Sequence, residues 1–294
     1  MKNKAVSEKL KDLFSFLPDK PYLRLYYFLR FRKWCSFRNP KTFSEKMQWL
    51  KLNHREARHT VMADKYAAKE YVAKKIGSEY TIPTLGVWDR FEDIDFETLP
   101  EQFVLKCTHD SGGLVVCRDK QTLDLENAQR ILTESLQRDY YRQAREWPYK
   151  DIPRKIIGEK LMSDETQTRA LIDYKFYCFN GEPKFLYISS GMENHATAHM
   201  SFLNLDWTFA PFKRMDYHPY ELLPPKPVHY EKMLEIARVL SADDPFLRVD
   251  LYEIGGKIYF SELTFTPCGG MMKFHPNQWD ETLGSWIELP ERIR

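Results

Sequence analysis

The segment from Arg248 to Thr264 constrains this chain more than any other. Runs rich in β-branched and aromatic residues, Arg248 to Ile254 and Lys257 to Thr264, flank Gly255-Gly256. This pattern reads as a β-hairpin. Its register decides the chemistry, because alternate side chains of a strand point to opposite faces. A plain two-residue turn at Gly255-Gly256 sets Asp250 opposite Ser261 and sends Glu262 to the other face. A three-residue loop, Gly255 to Lys257, instead pairs Ile254 with Ile258, Tyr252 with Phe260 and Asp250 with Glu262, with glycine supplying a left-handed residue. A bulge in a two-residue hairpin would bring the same carboxylates together. The expectation is the three-residue loop, with Asp250 and Glu262 sharing a face beside Arg248. Two hard oxygen ligands converging on one point suit Mg²⁺. The competing reading is a hairpin whose polar face is simply wet.

At 294 residues the chain can bury a sizeable core, as one large domain or as two or three subdomains. Its 43% hydrophobic and 29% charged content is that of an ordinary globular protein. A formal net charge of +2 gives no reason to expect nucleic acid as a partner. The 15% aromatic content goes either with stacked ligands or with a dense core. Cys35, Cys107, Cys117, Cys178 and Cys268 stand apart, with neither a disulfide framework nor zinc spacing, so a reducing compartment fits. No secretory h-region opens the chain and no apolar run is long enough to be a transmembrane segment. A cytoplasmic protein is the expectation.

Residues 1–63 read as a helical, basic N-terminal region. Pro21 to Trp34 mixes aromatics with arginines, which suits either an amphipathic helix on an anionic membrane surface or a packed helix with snorkelling arginines. Thr42 or Ser44 caps a helix that carries Met47, Trp49 and Leu50. Tyr66 to Ile76 is helical and stops at Gly77. Short strands are expected around Thr81 to Trp88, Phe103 to Thr108, Leu114 to Cys117 and Lys155 to Met162. The His109-Asp110-Ser111-Gly112-Gly113 loop between two of them can lay backbone N–H groups on phosphate oxygens, although a plain hairpin turn reads equally well. Leu123 to Trp147 is one polar helix or two. Asn180-Gly181 marks a second hairpin, Asp173 to Ile188. Residues 189–228 look irregular and carry His195, His199, Lys213, Arg214 and His218. Glu231 to Leu240 is an amphipathic helix. The fold class read from this order is α+β.

Taken together, Asp64-Lys65, Lys106 before its Ser-Gly-Gly loop, Glu159-Lys160-Leu161, Arg248-x-Asp250 and Glu262-x-Thr264 resemble the ATP-grasp superfamily. Ile82 to Val87, Phe103 to Gly112 and Glu262 to Pro267 look like its TupA-like branch, found with teichuronopeptide, capsule and other surface-polysaccharide biosynthesis. The resemblance runs from roughly Lys41 to Pro290. It implies an ATP-grasp fold of two α+β subdomains gripping the nucleotide, residues 64–160 and 161–294, behind the helical extension. It also implies ATP and one or two Mg²⁺ ions. Lys65 would lie near the nucleotide and Lys106 would reach the α- and β-phosphates. His109, Asp110, Ser111, Gly112 and Gly113 would form a mobile loop over the γ-phosphate. Backbone groups of Glu159, Lys160 and Leu161 would read the adenine edge. Asp250 and Glu262, with Thr264 in the place of a more usual Asn, would hold the metal, and Arg248 would stabilise an acyl phosphate.

The activity so implied is ATP-dependent amide ligation, joining an amino acid to a sugar acid or amino sugar, free or lipid-linked, with the enzyme cytoplasmic or peripheral at the inner face of the membrane. Transfer of the phosphoryl group alone is a variant of it. A glycosyltransferase is the alternative, because Asp93-Ile94-Asp95 imitates a metal-binding Asp-x-Asp. A non-catalytic glycan-binding protein is the third reading. Nothing in the sequence sets the oligomeric state.

Overall fold

The computed structural model describes residues 13–162, 171–192 and 196–291. Two antiparallel sheets organise it. The first is made of β1 (Thr84–Trp88), β2 (Phe103–Cys107), β3 (Leu114–Cys117) and β4 (Ile156–Lys160), in the order β1-β4-β2-β3. The second contains β5 (Asp173–Phe179), β6 (Glu182–Ser190), β7 (His199–Asn204), β8 (Phe246–Ile254) and β9 (Lys257–Thr264), in the order β7-β6-β5-β8-β9. Strand β7 falls in the region read as irregular. Its His-Met-Ser-Phe-Leu-Asn run buries four consecutive residues, Met200 to Leu203, and so lacks the period-two signal of a one-sided strand.

The α-helices lying wholly within the described residues are α1 (Asp19–Phe31), α2 (Phe43–Asn53), α3 (Ala57–Ala63), α4 (Ala67–Ile76), α5 (Leu125–Gln137), α6 (Tyr140–Ala144), α7 (Tyr230–Ser241) and α8 (Trp279–Ser285). Thr42 caps α2 through a full capping box with Glu45. Helix α4 ends at Gly77, whose φ of 115° is open to glycine and strained for other residues.

The second sheet is buried on both faces, and strand alternation sorts its side chains. Phe176, Cys178, Leu247, Val249 and Leu251 face a core closed by α7 and α4. Met233, Ile236, Ala237 and Leu240 supply the α7 side of that core. Each large one contributes about 1.5–3 kcal/mol by leaving water, so Leu240→Ala would cost about 2–5 kcal/mol. On the opposite face, Tyr177, Phe179, Phe185, Phe202 and Phe246 pack with Phe43, Phe274 and Leu283. Edge-to-face ring contacts dominate there, such as Phe43 with Phe246 at 5.1 Å. Much of the aromatic surplus is therefore core. Helix α4, which begins just after Asp64-Lys65, packs on the second sheet through Ala68 and Val72, while the first sheet has its own core with α5.

Candidate active site

The β8–β9 hairpin closes through two residues. Gly255 and Gly256 take φ of 56° and 72°, and Ile254 pairs with Lys257, Glu253 with Ile258, Tyr252 with Tyr259 and Leu251 with Phe260. The expected three-residue loop is therefore incorrect. Two consecutive left-handed glycines make the tight turn whose twist matches the strands. A bulge after Phe260 then restores the pairing of Asp250 with Glu262. The parity of the buried apolar residues records it: Ile258 and Phe260 face the α7 core, and after the bulge Leu263 takes that side. Glu262 and Thr264 are thereby turned to the same face as Arg248 and Asp250.

On that face the charges interlock. Arg248 Nε donates to Asp250 Oδ1 at 2.6 Å, and its Nη2 donates to Asp250 Oδ2 at 2.6 Å and to Glu262 Oε1 at 2.5 Å. Lys175, opposite Asp250 on β5, donates to Asp250 Oδ2 at 2.7 Å and lies 3.3 Å from Asp173. Thr264 Oγ1 donates to Glu262 Oε1 at 3.0 Å. Burial works against the Lys175 and Arg248 charges, but the surrounding carboxylates hold both well above their ordinary values. Burial pushes the Asp250 carboxyl up, against the pull of Arg248 and Lys175. Burial acts the same way on Glu262, yet Arg248, Lys175 and Lys65 outweigh it and leave that carboxyl at about 2. Glu262 is ionised at neutral pH.

Arg248, Glu262 and Thr264 border a cavity of about 530 Å³, lined also by Lys65, Lys106, Asp110, Ser111, Gly112 and Gly113. Lys65 Nζ donates to the Asp110 carbonyl, and burial pushes its ammonium below the usual value. Lys106 pairs with Glu159 Oε2 at 2.5 Å, and Lys69 pairs with the other oxygen of that carboxylate. Burial would raise the Glu159 carboxyl, but the two lysines hold it below its ordinary value. The loop divides into an anchor and a tip. Asp110 is buried and accepts from Ser135 Oγ at 2.5 Å and from Arg138 at 3.2 Å, and His109 meets the Arg138 carbonyl at 3.2 Å. Ser111 and Gly112 are exposed, and a Cβ on Gly113 would sit 2.0 Å from Ser135 Oγ, so only glycine fits there.

The structure thus gathers most of the expected residues around one cavity and leaves some aside. Lys65, Lys106, Asp110 to Gly113, Arg248, Glu262 and Thr264 line it. Asp250 stands behind Arg248, fully buried. His109, Glu159, Lys160 and Leu161 are outside the lining, and the Lys160 amide donates to the Pro83 carbonyl at 3.1 Å. His195 lies outside the described residues. Arg214 pairs with Asp216 at 2.6 Å, and Lys213 joins the His275 backbone. Sequence reasoning passed over Lys69, Lys175, Tyr140, Glu146 and Tyr149. The last three line the cavity from the α6 region, with the tyrosine rings 4.9 Å apart. Burial holds both phenols well above their usual value, with Glu146 adding to it, so they remain protonated. Only the alternation of Asp173-Tyr174-Lys175 along its strand could have pointed to Lys175, by placing it on the polar face.

The donor set fits Mg²⁺. One oxygen of Asp250 and one of Glu262 lie within 2.6 Å of the single Arg248 Nη2, so the two carboxylates already converge on a common cationic point. The cavity also fits a nucleotide: its volume is that of a small-molecule site, and three cations and a glycine-bearing loop face it.

Two facing sheets of this order, with a cationic cavity between them, define an ATP-grasp protein of the α+β class. The family model for TupA-like ATP-grasp proteins matches residues 45–288, and the chain belongs to that family. No curated protein matches it. Among solved structures it is similar to a D-alanine–D-alanine ligase from Bacillus anthracis complexed with ATP, at 14% identity and a TM-score of 0.43, covering 70% of this chain and 55% of that one. A D-alanine–D-alanine ligase from Helicobacter pylori gives 15% identity and 0.45, over 83% and 69% of the two chains. A RimK domain ATP-grasp protein from Sphaerobacter thermophilus gives 10% and 0.42, over 78% and 69%. The chain spans just over half the length of the first of these.

Proposed function

We propose that the chain is an ATP-dependent carboxylate–amine ligase that forms an amide through an acyl phosphate. The observation that carries this reading is the convergence of Arg248, Asp250 and Glu262 on one point, at a cavity that Lys65 and Lys106 enter from the other side. A carboxylate oxygen of the substrate attacks the γ-phosphorus of ATP, the bond to the β,γ-bridging oxygen breaks, and ADP leaves. An amine then attacks the acyl carbon and phosphate departs. No protein nucleophile takes part. Arg248 meets the charge that develops on the phosphoryl and carbonyl oxygens. Lys65 and Lys106 hold phosphate oxygens, and the Ser111-Gly112 tip covers them and excludes water. Asp250, Glu262 and Thr264 would hold Mg²⁺, which when bound neutralises phosphate charge. Thr264 also orients Glu262. Glu159 holds Lys106 and Lys69 in place, and the adjoining backbone to Leu161 is proposed to meet adenine. On this reading residues 64–160 and 161–294 act as the two subdomains.

The substrates we assign are an amino acid and a sugar acid or amino sugar of a bacterial surface polysaccharide, teichuronopeptide-like or capsular, with the enzyme on the cytoplasmic side. The TupA-like resemblance of the Lys106 and Glu262 motifs supports that assignment. Asp93 is paired with Arg90 at 2.9 Å and Asp95 accepts from the Glu97 amide at 3.1 Å, so local partners account for the Asp-x-Asp of the glycosyltransferase reading. The test is an ADP-release screen of amino acids against sugar acids and amino sugars, with mass spectrometry of the products. A new amide whose formation tracks ADP release supports the reading. A phosphorylated product, or turnover that depends on a nucleotide sugar and on Asp93 and Asp95, overturns it.

A further inference from the structure

Helix α1 carries two chemically different faces. Tyr22, Leu23 and Tyr27 are buried against Cys35, Phe37 and Met271, which fixes one side on the protein. Arg24, Leu25, Phe28 and Arg32 recur at helical spacing on the other side, and Lys33-Trp34 extends it. Phe28 stacks on Trp34 at 4.4 Å, and the Arg24 guanidinium lies 5.4 Å over the same indole. The aromatic and cationic groups therefore form one surface. It is an exposed one: Trp34 is 57% and Leu29 38% accessible to solvent.

Its charge is concentrated, and among the described residues its outer cations have no acidic partner. Residues 20–46 hold eight Lys or Arg and a single acid, Glu45, in a chain whose whole balance is +2. The Glu45 carboxylate is turned inward, accepting from the backbone amides of Ser36, Lys41 and Thr42. Asp19, the one acid of α1, is held by Arg55 at 2.8 Å and by the Tyr141 hydroxyl at 2.6 Å. Arg24, Arg32, Lys33 and Arg38 form no ion pair among the described residues. Lys273 joins them from the C-terminal segment: partial burial, then Arg30 and Arg32, push its ammonium below the ordinary value.

We propose that this face docks on an anionic membrane surface. Trp34, Phe28 and Leu29 lie at headgroup depth, and Arg24, Arg32 and Lys33 meet lipid phosphates. Exposed tryptophan and leucine beside arginine suit the wet-to-apolar boundary of a bilayer, whereas a purely polyanionic partner would meet the cations alone. Tyr26, on the same helix, lines the cavity, so docking holds the cavity close to the lipid surface.

The test uses the full chain with vesicles of phosphatidylcholine alone or with roughly a quarter phosphatidylglycerol. Sedimentation should show binding to the anionic vesicles only, weakening as salt rises. Each cation near such a surface is worth about five-fold in partitioning, so Arg32→Glu with Lys33→Glu should reduce it by at least ~25-fold. Trp34→Phe should abolish a blue-shifted tryptophan signal that brominated lipid quenches in the parent protein. Unchanged melting temperatures and unchanged Mg²⁺-ATP binding exclude misfolding of these variants. Equal binding to neutral vesicles, no binding to either, or variants that bind as the parent does would overturn the proposal. Retention on heparin or single-stranded DNA without vesicle binding would overturn it as well.

Discussion

Asp244 and Asp250 each bury a carboxylate against an arginine, yet only one of them opens onto chemistry. Asp244 accepts from Arg58 at 2.7 and 2.9 Å, and its Oδ1 lies 3.0 Å from the His59 ring nitrogen and 3.4 Å from that of His54. Asp250 accepts from Arg248 at 2.6 Å on each oxygen and from Lys175 at 2.7 Å. His54, His59 and Asp244 even bring together donor types that a transition metal accepts. Arg58 occupies both Asp244 oxygens, as Arg248 does at Asp250, but no residue of the His54-His59-Asp244 cluster lines the cavity. It ties the α3 segment to the turn before β8. At Asp250 the arginine instead reaches onward to Glu262, whose side chain is 42% exposed in the cavity. Both clusters bury a carboxylate against an arginine and a further basic side chain. What separates them is a second carboxylate with room in front of it.

That contrast can be broken at either end. Glu262→Gln should lower ADP release by about a thousand-fold, the scale for losing one preorganised charge partner, while the variant still folds. A loss of fold in place of activity would make Glu262 a structural residue like Asp244. Asp244→Asn should do the reverse, costing about 3 kcal/mol in denaturant unfolding while the folded fraction keeps its turnover. Its partners, chiefly His54, His59 and Arg58, outweigh burial and hold the Asp244 carboxyl well below the ordinary value. The stability it contributes is thus complete above the unfolded carboxylate value and lost as pH falls below it. Asp244→Asn should accordingly flatten the acid side of the stability profile. Next in size, Mg²⁺-ATP at about a hundred times its Kd should stabilise the parent protein by about 2.7 kcal/mol, and Glu262→Gln should lose most of that shift.

The parts of the site that were legible in the sequence each belong to a local pattern. Arg248, Asp250 and Glu262 belong to one hairpin, and Lys106 lies on the strand that leads into the His109-to-Gly113 loop. Even the bulge left a trace, in the change of apolar parity between Phe260 and Leu263. Lys175 and Lys69 were not legible. Lys175 meets Asp250 only because β5 pairs with β8, and Lys69 meets Glu159 only because α4 lies beside β4. Nothing in one sequence specifies such nonlocal pairings. The α+β class was readable, and Asn180-Gly181 and Gly255-Gly256 marked two hairpins of the second sheet with strong turn signals. Strand β7, buried along four consecutive residues, carried no such alternation.

Thr264 separates the clusters most finely. Its hydroxyl donates to the same Glu262 oxygen that Arg248 holds, at 3.0 Å. Among the influences that depress the Glu262 carboxyl it ranks below Arg248, Lys175 and Lys65. Thr264→Val should therefore leave Glu262 ionised at neutral pH, with its carboxyl moved only slightly toward the ordinary range. If the hydroxyl merely orients the carboxylate, the cost is about 1 kcal/mol, or roughly five-fold in kcat/KM, and the apparent Mg²⁺ affinity changes little. If it is itself a metal ligand, the Mg²⁺ requirement rises more steeply than kcat falls, and Thr264→Ser restores both. Titrating Mg²⁺ at saturating ATP for the three proteins decides between an orienting residue, the role Lys175 plays toward Asp250, and a third oxygen in the proposed metal site.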